Sequence, residues 1–463
     1  MAIVRLILLK KMRNKLIFAF VLIIFLFSRI YKIADIPSSV YWDEASIGYN
    51  AYCLATDLKD EWGVTLPLHF RAFGEFKLPV YIYSVAVFVK AIGLNAYAVR
   101  LPAVFYSLGT LIVVYLLIKK ITGKESTAIL ASFILSVSPW FFIFSRTGYE
   151  ATAGLFFFLL GTYLFLLLDK SKYFLIVATL SFVLSFYSYN SFRIIIPVWM
   201  VLLFIYNFSE FKKVRKYLFV LIISLMLFLL SLIPVYRLYR FDAGGARFAQ
   251  VEITGKLDFV KNYLSHFSPN FLFLKGDINP RSQIPGHGQL YLFEIPLILF
   301  GLIAIIKSKK IIYFLPLASL LLAPIPAALT KESPHALRAL LAAPSFAIIS
   351  ALGVGFLREN IKKFNIAIIF LVIAAYCLSF ESYMVDFLTK YGSETASDWQ
   401  YEYKEIFANQ KSGIITDKYA QPYIFALYYL KYPPEKFRGE VKLNPVSEWG
   451  FSKVASFDGF QFK

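Results

Sequence analysis

The sequence predicts an all-α polytopic membrane protein with about eleven transmembrane helices and a small outer C-terminal α/β appendage. Three observations support this class. Of the 463 residues, 59% are hydrophobic and only 17% are charged, which is well below the charge content of an ordinary soluble domain. Apolar stretches recur at the length that a helix needs to cross about 30 Å of hydrocarbon. The formal net charge of +19 is concentrated in alternate loops, as expected for cytoplasmic loops.

Eleven stretches are apolar enough to span a bilayer. They lie at 16–34, 101–118, 126–144, 151–168, 173–190, 194–208, 217–236, 291–306, 311–329, 339–357 and 366–380. A twelfth apolar run at 79–94 is interrupted by Lys90 and Gly93, and counting it as a span would break the alternation of basic loops. We therefore expect this run to form a helix that lies along the outer membrane surface.

The loop charges also predict the orientation of the chain. Six short segments contain 20 of the 48 Lys and Arg residues and only four acidic residues. These segments are 1–15, 119–125, 169–172, 209–217, 307–310 and 357–364. Because basic loops stay in the cytoplasm, we expect a cytoplasmic N-terminus, an uncleaved signal anchor as the first span, and a C-terminus outside. The charge is therefore an orientation signal that indicates membrane lipid, and not nucleic acid, as a partner.

Two regions follow from this topology. Residues 1–380 are expected to form the transmembrane domain, with outer loops at 35–100 and 237–290, and residues 381–463 an outer-facing C-terminal region. That region contains a helix-like stretch around 395–410 and a strand-like stretch at 413–416. With only two cysteines in the chain, a disulfide framework is excluded. The inner loops are short and carry no nucleotide-binding signature.

Polar residues on the predicted outer side are candidates for chemistry. Asp43 and Glu44 follow the first span directly. An acidic pair often marks only a helix N-terminus, but here aromatic residues and the nearby bilayer favour partly desolvated carboxylates. Lys77 precedes the interfacial run; such a lysine often only extends towards water, and a lipid-borne phosphate is the functional alternative.

Three further outer segments carry ionisable residues. Arg146 and Glu150 occupy one short turn, where they could simply pair with each other. Arg193 ends the turn at 187–193, and His335 and Arg338 open the tenth span. Ionisable groups at the edge of a membrane domain are usually functional. The histidines lack the spacing of a dedicated zinc site.

At these residues the chain resembles the GT-C membrane glycosyltransferases, particularly the family 39-like branch of protein O-mannosyltransferases and lipid A aminoarabinose transferases. The resemblance covers roughly residues 15–380 and consists of motifs in a fixed order. They are Asp43-Glu44, Lys77-Leu78-Pro79-Val80-Tyr81, Ser138-Pro139-Trp140, Ser145-Arg146 with Glu150, the turn 187–193, and Pro334-His335-Ala336-Leu337-Arg338. Two positions depart from the family pattern: Leu78 replaces a proline, and Glu150 stands where relatives often have Asp.

The resemblance implies a polyprenyl-phosphate-linked sugar as donor, a lipid, glycan or protein acceptor, and usually inversion at the anomeric carbon. Such a transfer needs a carboxylate to take the acceptor proton and cations to stabilise the departing phosphate. On this basis Asp43 is the expected general base, and Glu44 orients Asp43 or the acceptor. Lys77, Arg146 and Arg338 are expected to bind the donor phosphate.

Three residues complete the set of expectations. Arg193 is a further candidate for the donor phosphate, and His335 lies in the same substrate-binding motif as Arg338. Glu150 is expected to orient the site or to share a divalent cation with Asp43. Oxygen ligands without cysteine or clustered histidine would suit Mg²⁺ or Mn²⁺. In the loop at 237–290, the segment 276–281 is the expected acceptor-side element, although the same residues are also typical of a plain turn.

A transporter or flippase for a lipid-linked sugar is the competing class. It could also place Arg and Lys at the interface, but it would need charged residues near the middle of the membrane. The interiors of the predicted spans are almost free of them, and Glu294 lies near the outer end of its helix. The sequence therefore favours an enzyme over a transporter.

Overall fold

The computed structural model describes residues 2–211, 214–253, 255–418, 421–446 and 451–463. Residues 212–213, part of the predicted inner segment 209–217, lie outside the described residues. Helices dominate the fold, as the sequence predicts. Those of the first half are α1 Ala2–Ile30, α2 Trp42–Asp57, α3 Pro79–Ile92, α4 Ala96–Thr122, α5 Glu125–Ser136, α6 Pro139–Phe144, α7 Ala151–Phe165, α8 Phe174–Phe186, α9 Asn190–Tyr206, α10 Phe208–Phe211 and α11 Val214–Phe241.

The second half of the chain is also mainly helical. Its helices are α12 Ala246–Val251, α13 Lys256–Ser265, α14 Glu294–Lys307, α15 Leu315–Leu322, α16 Ile325–Ala328, α17 Ala342–Asn360, α18 Asn365–Asp386, α19 Gly392–Glu394, α20 Tyr401–Asn409, α21 Pro422–Tyr429 and α22 Pro434–Glu440. Short 3-10 turns lie at Pro280–Ser282, Ile311–Phe314 and Lys362–Phe364, and π-helical turns at Asn270–Leu274 and Phe387–Tyr391. All eleven predicted apolar stretches are thus helical over most of their length.

Prolines interrupt two of the predicted spans. The stretch 126–144 divides into α5 and α6 because Pro139 lacks an N–H and disfavours helix at the residue before it. The stretch 311–329 divides near Pro324 into α15 and α16. Among the described residues, five helices are long and apolar enough to cross a membrane. They are Ala96–Thr122, Lys216–Phe241, Ile311–Ala328, Ala342–Asn360 and Lys362–Glu394. The total of eleven spans stays a prediction.

Four of the predicted inner segments meet at one end of the helical body. The contacts are Asn14 to Glu125 (2.9 Å), Lys120 to Asp169 (2.6 Å), and Lys124 to Glu359. Segments far apart in sequence therefore lie together, as alternating loops require. We call the opposite end, which carries Asp43 and the C-terminal region, the outer end.

Two small sheets lie at the outer end. β1 Phe70–Arg71 and β2 Phe76–Lys77 form an antiparallel hairpin. The C-terminal sheet contains β3 Gly413–Ile415, β4 Lys442–Leu443, β5 Val454–Phe457 and β6 Phe460–Phe462, in the order β3-β6-β5-β4. The β3–β6 pair is parallel, and the two neighbouring pairs are antiparallel. The predicted α/β appendage is therefore confirmed.

The appendage packs directly on the outer loop that follows α1. Buried apolar residues of α2 and α3 share one cluster with those of α20 to α22 and the C-terminal sheet. At Gly48, an added Cβ would lie 2.7 Å from the ring of Tyr428, so α2 and α21 approach too closely for a larger side chain. The helix α18 continues past the predicted domain boundary at residue 380. The appendage is thus joined to the body by a continuous helix and by a shared core.

Candidate active site

Asp43 lies in the first turn of α2, and its carboxylate is partly exposed. The Lys77 ammonium donates a hydrogen bond to Asp43 Oδ1 and another to Glu75 Oε1 at 3.2 Å. The Lys77 side chain is only 4% exposed, whereas that of Asp43 is 25% exposed. The β1–β2 hairpin holds Lys77 and Glu75 in place, because β2 ends at Lys77. The structure therefore brings Asp43 and Lys77 together, although 34 residues separate them in sequence.

Glu150 is the third carboxyl group near Lys77. It immediately precedes α7, and the Leu78 N–H donates to its carboxyl group. Burial, opposed by Lys77 but reinforced by the nearby Asp43 and Glu75, raises the pKa of Glu150 to about 7. We call Asp43, Glu75, Lys77 and Glu150 the Lys77 cluster. It contains three carboxyl groups around one ammonium group, so the single positive charge of Lys77 cannot neutralise all three acids.

Asp43 is ionised in this setting. Burial alone would raise its pKa, but the Lys77 ammonium and hydrogen bonds from Lys77 and Tyr41 lower it below the ordinary value. The guanidinium of Arg281 lowers it further. A carboxylate that is charged at neutral pH and partly exposed can accept a proton.

Arg281 is a site residue that sequence analysis placed only within a possible acceptor segment. It belongs to the 3-10 turn Pro280–Ser282, and its guanidinium lies 5.1 Å from the ring centroid of Tyr41. It donates to the carbonyl of Asp398 at 3.0 Å, and its Nε has no hydrogen-bond partner among the described residues. Its side chain also hydrogen-bonds to Tyr149. The loop at 237–290 thus supplies a second cation whose charge acts on Asp43.

The Glu44 side chain faces α4 and lies outside the Lys77 cluster. Its side chain is fully buried and pairs with Arg100 of α4 through two hydrogen bonds of 2.9 Å. The same carboxylate accepts a 2.7 Å hydrogen bond from the Gly148 N–H. A Cβ at Gly148 would lie 3.1 Å from the Glu44 side chain and 2.8 Å from that of Val99, so this approach favours glycine. This geometry indicates that Glu44 links the Asp43 and Glu150 segments.

Arg146 also lies outside the Lys77 cluster. It is fully buried, and its guanidinium donates to carbonyls that follow or end α1. The acceptors are Ser28 (3.0 Å), Tyr31 (3.0 Å), Lys32 (3.2 Å) and Ile36 (2.9 Å). Such carbonyls lack helical partners and attract a cation. In this structure Arg146 is therefore not positioned to bind a donor phosphate, and it does not pair with Glu150.

Arg338 and His335 lie near the Lys77 cluster, because Arg338, Glu150 and Glu75 all act on the hydroxyl of Tyr189 through their charges. Arg338 donates to Thr330 Oγ1 at 2.7 Å and to Glu332 Oε2 at 3.2 Å. Burial, with the nearby Arg338, lowers the pKa of His335, so its ring is neutral. His335 Nδ1 lies 4.0 Å from Asp277 and has no hydrogen-bond partner among the described residues. These two residues remain candidates for substrate contact.

Arg193 lies apart from the Lys77 cluster and pairs with His69. Arg193 Nη2 is 2.9 Å from His69 Nε2. Burial and the charge of Arg193 lower the pKa of His69 to about 4, so the neutral ring accepts the hydrogen bond. Among the predicted cations of the site, Lys77 alone contacts Asp43 in the part of the chain that the structure describes.

An open apolar groove of about 540 Å³ adjoins the site. It runs between α3, α4, α7, α8 and α11, and it is lined by Pro79, Val80, Tyr106, Phe157, Val183 and Tyr187, among others. Pro79 and Val80 follow Lys77 by two and three residues. The groove therefore offers an apolar surface that starts at the residues following Lys77 in the chain.

A metal site is not formed by these residues alone. Across the described ranges, no group of three or more His, Cys, Asp or Glu side chains is placed to hold a metal ion. The position between Asp43 and Glu75 is taken by the Lys77 ammonium. The expected sharing of Mg²⁺ or Mn²⁺ by Asp43 and Glu150 stays a prediction, and we derive no step through it.

Comparisons with known proteins agree with this architecture. A family model described as dolichyl-phosphate-mannose-protein mannosyltransferase matches residues 77–233. The structure of ArnT from Cupriavidus metallidurans bound to undecaprenyl phosphate is similar, with 10% identity and a TM-score of 0.56. The similarity covers 90% of this chain and 84% of that one. ArnT in the apo state is similar too, with 11% identity, the same coverage and a TM-score of 0.56.

An archaeal protein has the same fold over a longer chain. The oligosaccharyltransferase AglB from Archaeoglobus fulgidus, in complex with an inhibitory peptide and a dolichol-phosphate, has 12% identity and a TM-score of 0.51. The similarity covers 92% of this chain and 60% of that chain. The present chain therefore corresponds to about three fifths of AglB. A search of curated protein sequences found no match.

The fold and the site together define a helical membrane protein with a carboxylate and cation cluster at one end of its helices. The match over residues 77–233 includes Lys77, Glu150 and the groove-lining residues of α3, α7 and α8. Residues 77–233 match the family model, and the fold over about nine tenths of the chain is that of ArnT and AglB. The resemblance noted in the sequence is thereby confirmed for residues 77–233 and for the fold.

Proposed function

We propose that the protein transfers a sugar from a polyprenyl-phosphate-linked donor to an acceptor at the outer face of the membrane, with inversion and with Asp43 as general base. The observation that carries this proposal is the apolar groove next to the Lys77 cluster. A lipid-linked phosphate needs an apolar surface for its chain and a cation for its headgroup. The orientation with a cytoplasmic N-terminus and an outer C-terminus belongs to the same proposal.

The relatives support a donor of this kind. ArnT was crystallised with undecaprenyl phosphate, and AglB with a dolichol-phosphate and a peptide. In the present chain, Lys77 is shared by Asp43 and Glu75. A phosphate that takes over the Lys77 ammonium would release Asp43 from its ion pair, so that donor binding frees the base.

The proposed chemistry needs two functions from the site. Asp43 takes the proton of the acceptor nucleophile as the bond to the anomeric carbon forms. Lys77, with Arg281 and Arg338 as further candidates, stabilises the charge of the departing phosphate. The acceptor remains a lipid, a glycan or a protein hydroxyl. The segment 276–281, which carries Arg281, is the proposed acceptor-binding side of the site.

The test is release of free polyprenyl phosphate by purified protein in nanodiscs. Undecaprenyl- and dolichyl-phosphate sugars would be supplied with a crude acceptor extract. We expect release by the wild type and a loss of several hundred-fold in Asp43→Asn, equivalent to about 3–4 kcal/mol of transition-state stabilisation. Asp35→Asn, an exposed acid in the preceding segment, is the matched control and should retain activity.

Two results would contradict the proposal. Equal release by wild type and Asp43→Asn would remove Asp43 as the base while keeping the enzyme. Absence of release with every donor, combined with movement of labelled donor across the membrane of proteoliposomes, would indicate a transporter. Chelation followed by addition of Mg²⁺ or Mn²⁺ in the same assay tests the metal.

A further inference from the structure

The helix α13 in the loop at 237–290 has an exposed apolar stripe. The side chains of Leu257, Val260 and Leu264 are 85%, 52% and 59% exposed. At 100° per residue they fall within an arc of about 60° on one side of the helix. Lys256 and Lys261 lie on the two edges of this arc. An apolar stripe edged by lysines is typical of a helix at a membrane surface.

The other side of α13 is attached to one of the predicted spans. The Tyr263 hydroxyl donates to the Leu321 carbonyl at 2.8 Å, and Asn262 Nδ2 donates to the Thr330 carbonyl at 2.9 Å. His266 Nε2 accepts a 3.1 Å hydrogen bond from the N–H of His335. The protein-facing side of α13 therefore reaches His335, while its apolar stripe faces outward.

The position of Leu321 gives the depth of this contact. The predicted span ends at residue 329, so Leu321 lies about two helical turns inside its outer end. The span is interrupted between Leu322 and Ile325, and Pro324 has no N–H to donate, so carbonyls of the preceding turn need other partners. The Leu321 side chain is itself exposed. A backbone group at this depth must be satisfied by protein, because lipid cannot donate a hydrogen bond.

We propose that α13 lies in the outer leaflet, with Leu257, Val260 and Leu264 among the acyl chains. Its opposite side supplies donors to the interrupted span and accepts a hydrogen bond from the backbone of His335. In this arrangement α13 lies between the lipid and His335. The loop at 237–290 is then partly a membrane element, and the inference holds whichever sugar the enzyme transfers.

Spin labels at single cysteines test this placement. Cys377 is exposed and would be changed to Ser, whereas the buried Cys53 can remain. Labels would be introduced as Leu257→Cys, Val260→Cys and Leu264→Cys in nanodiscs of phosphatidylethanolamine and phosphatidylglycerol. The measurement is collision with oxygen, which concentrates in lipid, relative to a water-soluble nickel complex.

Three control positions set the scale. Leu225→Cys on α11 gives the lipid value, and Glu405→Cys on α20 gives the aqueous value. Asp258→Cys lies on α13 outside the apolar arc and should resemble Glu405→Cys. We expect the three stripe positions to approach the oxygen-to-nickel ratio of Leu225→Cys.

Two outcomes would overturn the proposal. Ratios equal to that of Glu405→Cys would place the stripe in water. Low collision rates with both reagents would mean that protein, such as a second copy of the chain, covers the stripe. Because the three positions are exposed and independent, failure of one variant to fold leaves two to decide the question.

Discussion

Two groups of positive charges at the outer end of the molecule differ in what they contact. Arg29, Arg100 and Arg146 are fully buried and donate largely to backbone carbonyls. Arg29, for example, donates to the Ser136 carbonyl at 2.7 Å and lies about 4.5 Å from the ring of Phe25. We call these three residues the buried arginine group.

Lys77 represents the second kind of charge. Its partners are the carboxylates of Asp43 and Glu75, which are partly exposed. Backbone carbonyls and the fully buried Glu44 carboxylate cannot leave the guanidinium groups without disrupting the fold, whereas an exposed carboxylate can be replaced by a phosphate. The exposure of a cation's partners, more than its position in sequence, therefore separates structural cations from candidate ligand-binding ones.

The largest expected effect comes from removing the negative charge of Glu44, which is the carboxylate partner of Arg100 in the buried arginine group. In Glu44→Gln, Arg100 remains charged and buried without its ion-pair partner. We expect the free energy of unfolding to fall by about 3–5 kcal/mol, measured by denaturant titration in detergent. Glu75→Gln is the matched control, because Glu75 is partly exposed, and it should change stability little. Equal stability of Glu44→Gln and wild type would contradict a structural role for the pair.

Removing the Lys77 charge should affect function more than stability. Lys77→Met deletes a charge-assisted contact to the donor phosphate, worth about 1.5–3 kcal/mol, so we expect KM for the donor to rise roughly 10- to 100-fold. Because Lys77 lowers the pKa of Asp43, the acid side of the pH–rate profile should also move to higher pH. The measurement is donor-dependent polyprenyl phosphate release between pH 5 and 9.

Two variants check the interpretation of Lys77→Met. Lys77→Arg keeps the charge and should restore the acid side of the profile. Lys90→Met removes an exposed lysine from α3 and should behave as wild type. An unchanged donor KM in Lys77→Met would exclude Lys77 as the phosphate ligand.

Glu150 provides a weaker and pH-dependent test of the Lys77 cluster. With a pKa raised by burial to about 7, Glu150 is neutral below that pH and negative above it. A negative Glu150 competes with phosphate for Lys77, so we expect the affinity for polyprenyl phosphate to fall roughly fivefold between pH 6 and 8, or about 1 kcal/mol. In Glu150→Gln the affinity should be nearly constant over this range. An unchanged pH dependence in Glu150→Gln would assign the titration to another group.

The sequence predicted the helical body well because apolar length and loop charge depend on local composition. All eleven apolar stretches are helical, and the strand at Gly413–Ile415 is present. The break between α5 and α6 was not predicted, because the stretch 126–144 is apolar throughout and hydrophobicity does not register the helix-breaking effect of Pro139. The pairing of β3 with β6 depends on contact between distant segments, which a single sequence does not record.

The site was predicted only in part, for a related reason. Asp43, Lys77 and Glu150 converge as the shared membrane side suggested. Arg146 was expected to bind phosphate, but its guanidinium N–H groups donate to backbone carbonyls at and after the end of α1. Arg100 was missed because it lies at the edge of an apolar stretch. Residue type and the grouping of these residues at one end of the helices could be predicted, but whether a guanidinium contacts backbone carbonyls or an exposed carboxylate depends on packing.

Glu61 offers a separate test, since it is a buried acid for which the described part of the chain supplies no cation partner. It is fully buried at the contact with the appendage, where Glu61 Oε1 lies 3.5 Å from the Tyr423 hydroxyl. Burial, reinforced by Asp60, raises the pKa of Glu61 to about 8. Between its ordinary value near 4.5 and 8, the folded protein keeps a proton that the unfolded chain releases. Stability should therefore fall as pH rises through this range.

In Glu61→Gln this pH dependence should disappear, because the amide cannot ionise. We expect the thermal midpoint of Glu61→Gln to exceed that of wild type by a few degrees at pH 8.5 and by less at pH 5.5, measured in detergent. Glu435→Gln, an exposed acid on α22, should follow the wild type at both values. If wild type and Glu61→Gln lose stability in parallel as pH rises, Glu61 is not the titrating group. If only the wild type loses stability as pH rises, the result would show that an acid buried without a cation partner costs stability. Glu44, which is buried but paired with Arg100, carries no such cost.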